Sequence, residues 1–387
     1  MSVTAPGGFV AAGTHCGIKA DGAPDLSLVA TADASPVAAA AVFTSNLATA
    51  APVQVSRLHL ETTGGRAAAV VLNSGNANAA TGEAGRDDAE RMCAGVAGEL
   101  GCGAVDVLVC STGLIGIPLP ITVIEAGIPG LVATRSADGG AEAAEAIRTT
   151  DTVRKEVVVE GPGFTVGGMA KGAAMLAPNM ATMLAVLTTD AQADAETLQR
   201  SLAGAVEHSF NALSVDGCTS TNDTVIVLAS GRGGTAGPDA LSTALAEACT
   251  SLATQMAEDA EGATKVARVR VTGASSHEEA KRAARKVAES QLVKCSLFGA
   301  DPYWGRIVSE LGTARVTFDP DRVEVAYGGV TVCSKGVAVA HDADAVRVHL
   351  QGRHLELTAD LGLGNGIGTI LTNDLTPAYI DENMKTS

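Results

Sequence analysis

Thr182 stands where a glycine- and proline-marked approach gives way to a solid apolar run. From Lys171 to Ala191 the chain reads KGAAMLAPNMATMLAVLTTDA, with no histidine, no cysteine and only Lys171 and Asp190 charged. A threonine hydroxyl is a weak nucleophile unless a base sits beside it. One solution brings a histidine from elsewhere in the fold. The other cuts the chain just before the threonine, so that its own α-amine, with an unperturbed pKa of about 7.7–8.0, serves as base. The histidines favour the second. His208 and His277 fall on predicted helices, and none lies in a nucleophile–base motif such as G-x-S-x-G. Ala181 is small enough for the Thr182 hydroxyl to reach its carbonyl, Pro178 restricts the approach, and a strand over Met183–Leu187 would hold the threonine rigidly. The plainer alternative is that a β-branched residue simply opens a strand, and spacing alone leaves it open.

The elements that would position such a group are legible in outline. Ala67–Leu72 and Val105–Val109 read as buried strands, each running into a polar turn, Asn73–Asn78 and Cys110–Gly113. Ala89, Met92, Val96 and Leu100 recur at helical spacing. So do Leu198, Leu202 and Val206, and again Leu241, Leu245, Leu252 and Met256. Arg268–Val271 alternates like a half-buried strand, and Ser276-His277-Glu278-Glu279 reads as a capping box. Short alternating strands are expected from Ala314 to Leu361, and an exposed helix over Ala137–Ala146. The class is α/β, with mixed α and β layers. No repeat or linker appears, so the halves are expected to share a core.

Composition sets limits. The chain has 387 residues, 46% of them hydrophobic but 3% aromatic, so Ala, Val, Leu and Ile must fill its core. A net charge of −16 argues against nucleic-acid binding. The scattered cysteines form no CxxC pair and are read as buried reduced thiols, with no metal site, in a cytoplasmic protein. MSVTAPGGFV lacks the features of a secretory signal. Leu108–Ala133 is apolar enough to suggest a membrane span, but its prolines and glycines favour strand, turn and loop.

KGAAMLAPNMATML closely resembles the processing-site signature of the ornithine acetyltransferases of arginine biosynthesis. Other blocks follow in the family's order: LNSGNANAATG (Leu72–Gly82), CSTGLIGIPLP (Cys110–Pro120), TTDT (Thr149–Thr152), FNALSVDGCTSTND (Phe210–Asp223), EGATK (Glu261–Lys265), DPYWGRI (Asp301–Ile307) and NDLTPAYIDEN (Asn373–Asn383). The resemblance implies a self-processing enzyme with an N-terminal threonine nucleophile. Its α chain would be residues 1–181 and its β chain residues 182–387, interlocked around one core and assembling as an α2β2 heterotetramer.

It further implies cleavage between Ala181 and Thr182. Thr182 then carries acetyl from N-acetylornithine to glutamate, with Thr112 and Gly113 as the oxyanion donors. Thr149, Lys171, Thr182, Glu261 and Asn383 are expected to contact substrate, with the C-terminal residue Ser387. Lys171 suits a substrate carboxylate, and Glu261 suits a substrate ammonium or the Thr182 amine. No cofactor is implied. Acetyl-CoA as a second donor stays open, because family members with and without that activity share these motifs. Water in place of glutamate as acceptor, and a non-enzymatic binding protein, are the rival classes. The sequence departs from the family at Ala174 (usually Gly), Cys218 (Asp), Tyr303 (Asn) and the tail NMKTS.

Overall fold

The computed structural model describes residues 2–175 and 183–384. They form two compact units, Met1–Asn211 with Cys218–Met256, and Ala212–Gly217 with Ala257–Ser387. These boundaries differ from the Ala181–Thr182 division.

The first unit contains β1 (Phe9–Thr14), β2 (Leu26–Thr31), β3 (Val37–Phe43), α1 (Ala51–Thr62), β4 (Arg66–Ala67), β5 (Ala69–Asn76), α2 (Gly82–Leu100), β6 (Val107–Leu114), α3 (Ile121–Thr134), α4 (Gly140–Ala146), β7 (Lys155–Gly161), β8 (Phe164–Lys171), β9 (Leu184–Thr189) and α5 (Ala195–His208). After β10 (Leu213–Ser214), which belongs to the other unit, come β11 (Thr224–Ala229) and α6 (Pro238–Glu258). Its sheets run β1-β2-β5-β6 and β4-β3-β11-β9-β8-β7.

The two sheets bury one core between them. Phe9, Val29, Val70, Leu72 and Leu108 of the first meet Ala39, Met169, Leu184, Val186, Ile226 and Leu228 of the second. On its other face the four-stranded sheet packs Leu28, Val71 and Val109 against Met92 and Val96 of α2 and Ile124 and Ile128 of α3. On the six-stranded sheet, α5 packs on β3, and Leu252 of α6 reaches over Gly168 of β8. The layers are therefore helix, sheet, sheet, helix. Strands covered on both faces read as continuous apolar runs rather than alternations. Every residue of β9 (LAVLTT) and β11 (TVIVLA) is buried, and each buried Val or Leu side chain contributes roughly 1.5–3 kcal/mol. β8 pairs antiparallel with β9, so residues on both sides of Ala181–Thr182 supply adjacent strands of one sheet.

The second unit adds β12 (Val266–Ala274), α7 (His277–Ala288), α8 (Gln291–Phe298), α9 (Gly305–Gly312), β13 (Glu324–Tyr327), β14 (Val330–Ser334), β15 (Val337–Ala338), α10 (Ala343–Gln351), β16 (His354–Asp360), β17 (Gly366–Asn373) and α11 (Pro377–Asn383). Its sheet runs β10-β17-β12-β16-β13-β14-β15. The expected alternation holds in β12, where Val269 and Val271 are buried and Arg268 and Arg270 are exposed. Ser276 caps α7 by accepting from Glu279 N, but the Glu279 carboxylate turns to Thr317.

Several local expectations are corrected. Asn73–Asn76 and Cys110–Leu114 are not turns but the ends of β5 and β6, parallel neighbours through Gly75↔Gly113. Residues 121–134 form α3 rather than loop, with Pro129 on an exposed position of the helix. Its apolar residues left no polar face to mark the period. Among the described residues no helix is long and apolar enough to cross a membrane. The helix within Ala137–Ala146 is largely buried, not exposed. The Ala143 carbonyl accepts from Ser27 Oγ at 3.0 Å, and a Cβ on Gly13 would lie 2.0 Å from the Glu142 oxygen. The stretch 314–361 includes a helix, α10. Cys93, Cys110, Cys249 and Cys333 are buried free thiols, whereas Cys218 and Cys295 are exposed.

Candidate active site

Lys171 ends β8 and is 2% exposed, so it is no surface lysine. The organising group beside it is Asp151. Its Oδ1 accepts from Lys155 Nζ and from the Gly172 amide, each at 2.7 Å. Its Oδ2 accepts from the Thr149 amide at 3.2 Å. One carboxylate thus ties Thr149 to the backbone next to Lys171, bringing two expected substrate residues together. Burial alone would raise the pKa of Asp151. The charges of Lys171 and Lys155, the Lys155 hydrogen bond and the Gly172 amide outweigh burial and hold it at about 2.

Thr112 and Gly113 lie near the end of β6, Thr112 buried and Gly113 exposed. Gly113 has φ of +135°, and a Cβ there would stand 2.2 Å from the Gly75 carbonyl carbon. Both conformation and space therefore demand glycine. The asparagine run supports this edge. Asn73 Nδ2 donates to the Asn76 carbonyl at 2.8 Å. Asn76 Nδ2 donates to the carbonyls of Ile117 and Pro118, at 3.2 and 3.1 Å, fixing the segment that follows Gly113.

Ala181, Thr182 and Ser387 lie outside the described residues. The next residue, Met183, donates its amide to Asp223 Oδ1 at 2.9 Å. Asp223 is fully buried, which raises its pKa well above the usual carboxylate range, although the Met183 amide, the Lys171 charge and Ser220 oppose the shift.

In the second unit, Asn383 Nδ2 at the end of α11 donates to Glu261 Oε2 at 2.9 Å. Glu261 also lines a cavity of about 190 Å³ with Asp216, Glu289, Lys294, Asp374 and Tyr379. Tyr379 OH donates to Asp216 Oδ2 at 3.2 Å. Burial lowers the pKa of Lys294 to about 8, against the opposing pull of the acids around it. Among the described residues no group of three or more His, Cys, Asp or Glu side chains is placed to hold a metal ion.

Sequence reasoning assigned no role to Asp151, Asn222, Asp223 or Lys294. Asp151 sits inside TTDT and Asn222-Asp223 inside FNALSVDGCTSTND. Membership of those motifs was the available signal in each.

The chain matches a family model described as the ArgJ family over residues 10–386. It is 48% identical over 384 residues to an arginine biosynthesis bifunctional protein ArgJ of Thermobifida fusca, covering 99% of each chain. The protein of that name from Streptomyces coelicolor is 47% identical over 384 residues, again covering 99% of each. A crystal structure of an ornithine acetyltransferase complexed with ornithine, from Mycobacterium tuberculosis, is 45% identical. The alignment covers 46% of this chain and 94% of that one, with a TM-score of 0.41.

Proposed function

The chain belongs to the ArgJ family, and we propose that it carries an acetyl group from N2-acetyl-L-ornithine to L-glutamate on Thr182, releasing L-ornithine and forming N-acetyl-L-glutamate. The family match over almost the whole chain carries this reading. The buried Lys171 and the glycine-only geometry of Gly113 support it.

The chain first cuts itself. The Thr182 hydroxyl attacks the Ala181 carbonyl, the C–N bond breaks and water hydrolyses the ester. This leaves an α chain, residues 1–181, and a β chain with a free amine at Thr182. The position of β8 beside β9 supports the two chains staying together, because a cut between paired strands leaves the sheet's hydrogen bonds in place. Two such pairs form an α2β2 assembly.

In turnover the Thr182 amine takes the hydroxyl proton as Oγ attacks the acetyl carbonyl. The amide C–N bond then breaks and ornithine leaves with that proton. Glutamate's amine attacks the acetyl ester and Thr182 regains its hydroxyl. Thr112 and Gly113 stabilise the oxyanion in both halves. Lys171, with Thr149 held beside it, meets the substrate α-carboxylate as a point charge. Glu261 and Asn383 complete substrate binding.

No cofactor takes part. Acetyl-CoA is the second acetyl donor to test. Ornithine release from N-acetylornithine, assayed with and without glutamate, and N-acetylglutamate formation from acetyl-CoA plus glutamate test the two readings. Hydrolysis at the same rate without glutamate would point to water as the acceptor.

A further inference from the structure

Glu261 opens the loop Glu261–Lys265 just before β12, and the stretch Asn373–Asn383 folds against that loop. Asn373 ends β17 opposite Val266 of β12. Its Nδ2 donates to the carbonyls of Ala257 and Lys265, at 2.8 and 3.0 Å. The next residue, Asp374, is buried. Its Oδ1 accepts from the Thr264 and Lys265 amides, each at 2.9 Å, and its Oδ2 accepts from the Thr264 hydroxyl. Thr376, also buried, caps α11 by accepting from the Tyr379 amide at 3.1 Å. The same hydroxyl donates to the Gly262 carbonyl at 2.7 Å. Gly262 has φ of +62°, and a Cβ there would lie 2.3 Å from the Tyr379 nitrogen, so the loop rests directly on the α11 backbone. At the far end of that helix, Asn383 Nδ2 donates to the Tyr379 carbonyl at 2.9 Å as well as to the Glu261 carboxylate.

A glutamate side chain turns about several torsions. Its carboxylate is only as well placed as the backbone that carries it and the partner that holds its end. Asn383 holds the end. Asp374 and Thr376 hold the backbone, and neither has a part in the reaction laid out above. A carboxylate that accepts from two amides and a hydroxyl is a firm anchor, because charge-assisted hydrogen bonds are roughly twice as strong as neutral ones.

We propose that Asp374 and Thr376 are positioning residues for Glu261, and that through it they set a preference for acetyl donors whose side chain ends in an ammonium. This rests on the reading of Glu261 as a substrate contact. N-acetylornithine carries a δ-ammonium that pairs with the Glu261 carboxylate. N-acetylnorvaline has the same carbon chain without that amine and gains nothing from the carboxylate's position. Loosening the loop therefore weakens the first donor and spares the second.

The test measures kcat/KM of the purified protein for both donors with glutamate as acceptor. The wild type is expected to favour N-acetylornithine. Thr376→Val keeps the shape of the side chain and removes its hydroxyl. It is expected to lower kcat/KM for N-acetylornithine ~10-fold or more, since a misplacement of about 1 Å can cost up to ~10²-fold. The loss should appear in KM rather than kcat, and the value for N-acetylnorvaline should stay within about threefold. Asp374→Ala is expected to shift the ratio the same way, and Thr376→Ser, which restores the hydroxyl, to keep the wild-type ratio. Should Thr376→Val or Asp374→Ala fail to fold, the other carries the test. Both donors falling in parallel, or neither falling, in a folded variant overturns the proposal. Glu261→Gln separates it from the reading beneath it. A Glu261→Gln that keeps the wild-type ratio sinks the substrate role of Glu261 and this inference with it. A Glu261→Gln that loses the ratio beside a Thr376→Val that keeps it sinks this inference alone.

Discussion

Asp151 and Lys155 form an ion pair of 2.7 Å in which neither side chain reaches solvent. The pair is buried with the Gly172 amide on the same carboxylate oxygen and Thr149 on the other. Removing one partner of such a pair leaves a buried charge uncompensated, at a cost of about 3–5 kcal/mol. Asp151→Asn is expected to lower stability by that order and to raise KM, because Thr149 and the backbone beside Lys171 lose their tie. Denaturant unfolding and steady-state kinetics check both. Unchanged KM in a folded variant would show that Asp151 serves the fold alone.

Asp151 and Asp223 should act oppositely on stability as pH changes. The Asp151 pKa is depressed to about 2, so its contribution is present above the ordinary carboxylate pKa and lost as pH falls through the folded value. Asp223 is raised. Its folded form keeps a proton that the unfolded chain releases, so stability falls as pH rises from the ordinary carboxylate pKa towards the folded one. Asp223→Asn is therefore expected to unfold at or above the wild-type temperature at neutral pH and to flatten that decline. Melting curves across pH 4–8 measure it, and an Asp223→Asn that loses stability more steeply than wild type with rising pH contradicts it.

Much of the frame was legible because it depends on near neighbours in sequence. The Val/Arg alternation of β12, the Leu198–Leu202–Val206 stripe of α5 and the Ser276 cap each follow from residues within a few positions. The site was legible only through whole motifs. Met183 and Asp223 are 40 residues apart, and Ser111 and Asn222 are 111 apart, so nothing local announces either bond. The turns expected at Asn73 and Cys110 failed for a related reason. Polar residues at the end of a parallel pair stay in the strand when side chains from elsewhere satisfy them, as Asn222 does for the Ser111 carbonyl. Helix α3 was hidden by its uniformly apolar sequence and by Pro129.

Thr112 and Gly113 should separate by mutation. Thr112→Ala is expected to lower kcat ~10²–10³-fold, the range for one oxyanion donor, while the protein folds normally. Gly113→Ala meets the β5 backbone at 2.2 Å and is expected to lower melting temperature as well as activity. Full kcat in Thr112→Ala would restrict Thr112 to a backbone contribution.

The C-terminal tail offers a sharper contrast. Asn383 is bonded to Glu261, whereas the four residues after it depart from the family ending. Deleting Met384–Ser387 is expected to change KM little, and Asn383→Ala to raise it. A large KM increase on truncation would make Ser387 a substrate contact in its own right.

Thr182→Ala is expected to yield one uncut, inactive chain, since hydroxyl and nascent amine vanish together. Thr182→Ser keeps the hydroxyl and is expected to cut. Denaturing electrophoresis with N-terminal sequencing reads the outcome, and an active protein with the Ala181–Thr182 bond intact would falsify self-processing.

The acetyl-enzyme is the central claim. Purified protein mixed with N-acetylornithine carrying a labelled acetyl group, without glutamate, can be quenched and digested for mass spectrometry. The account predicts a peptide beginning at Thr182 with the labelled acetyl on its hydroxyl, which disappears when glutamate is added. Transfer of label from N-acetylornithine to glutamate, with Thr182 never acetylated under any quench, would contradict it.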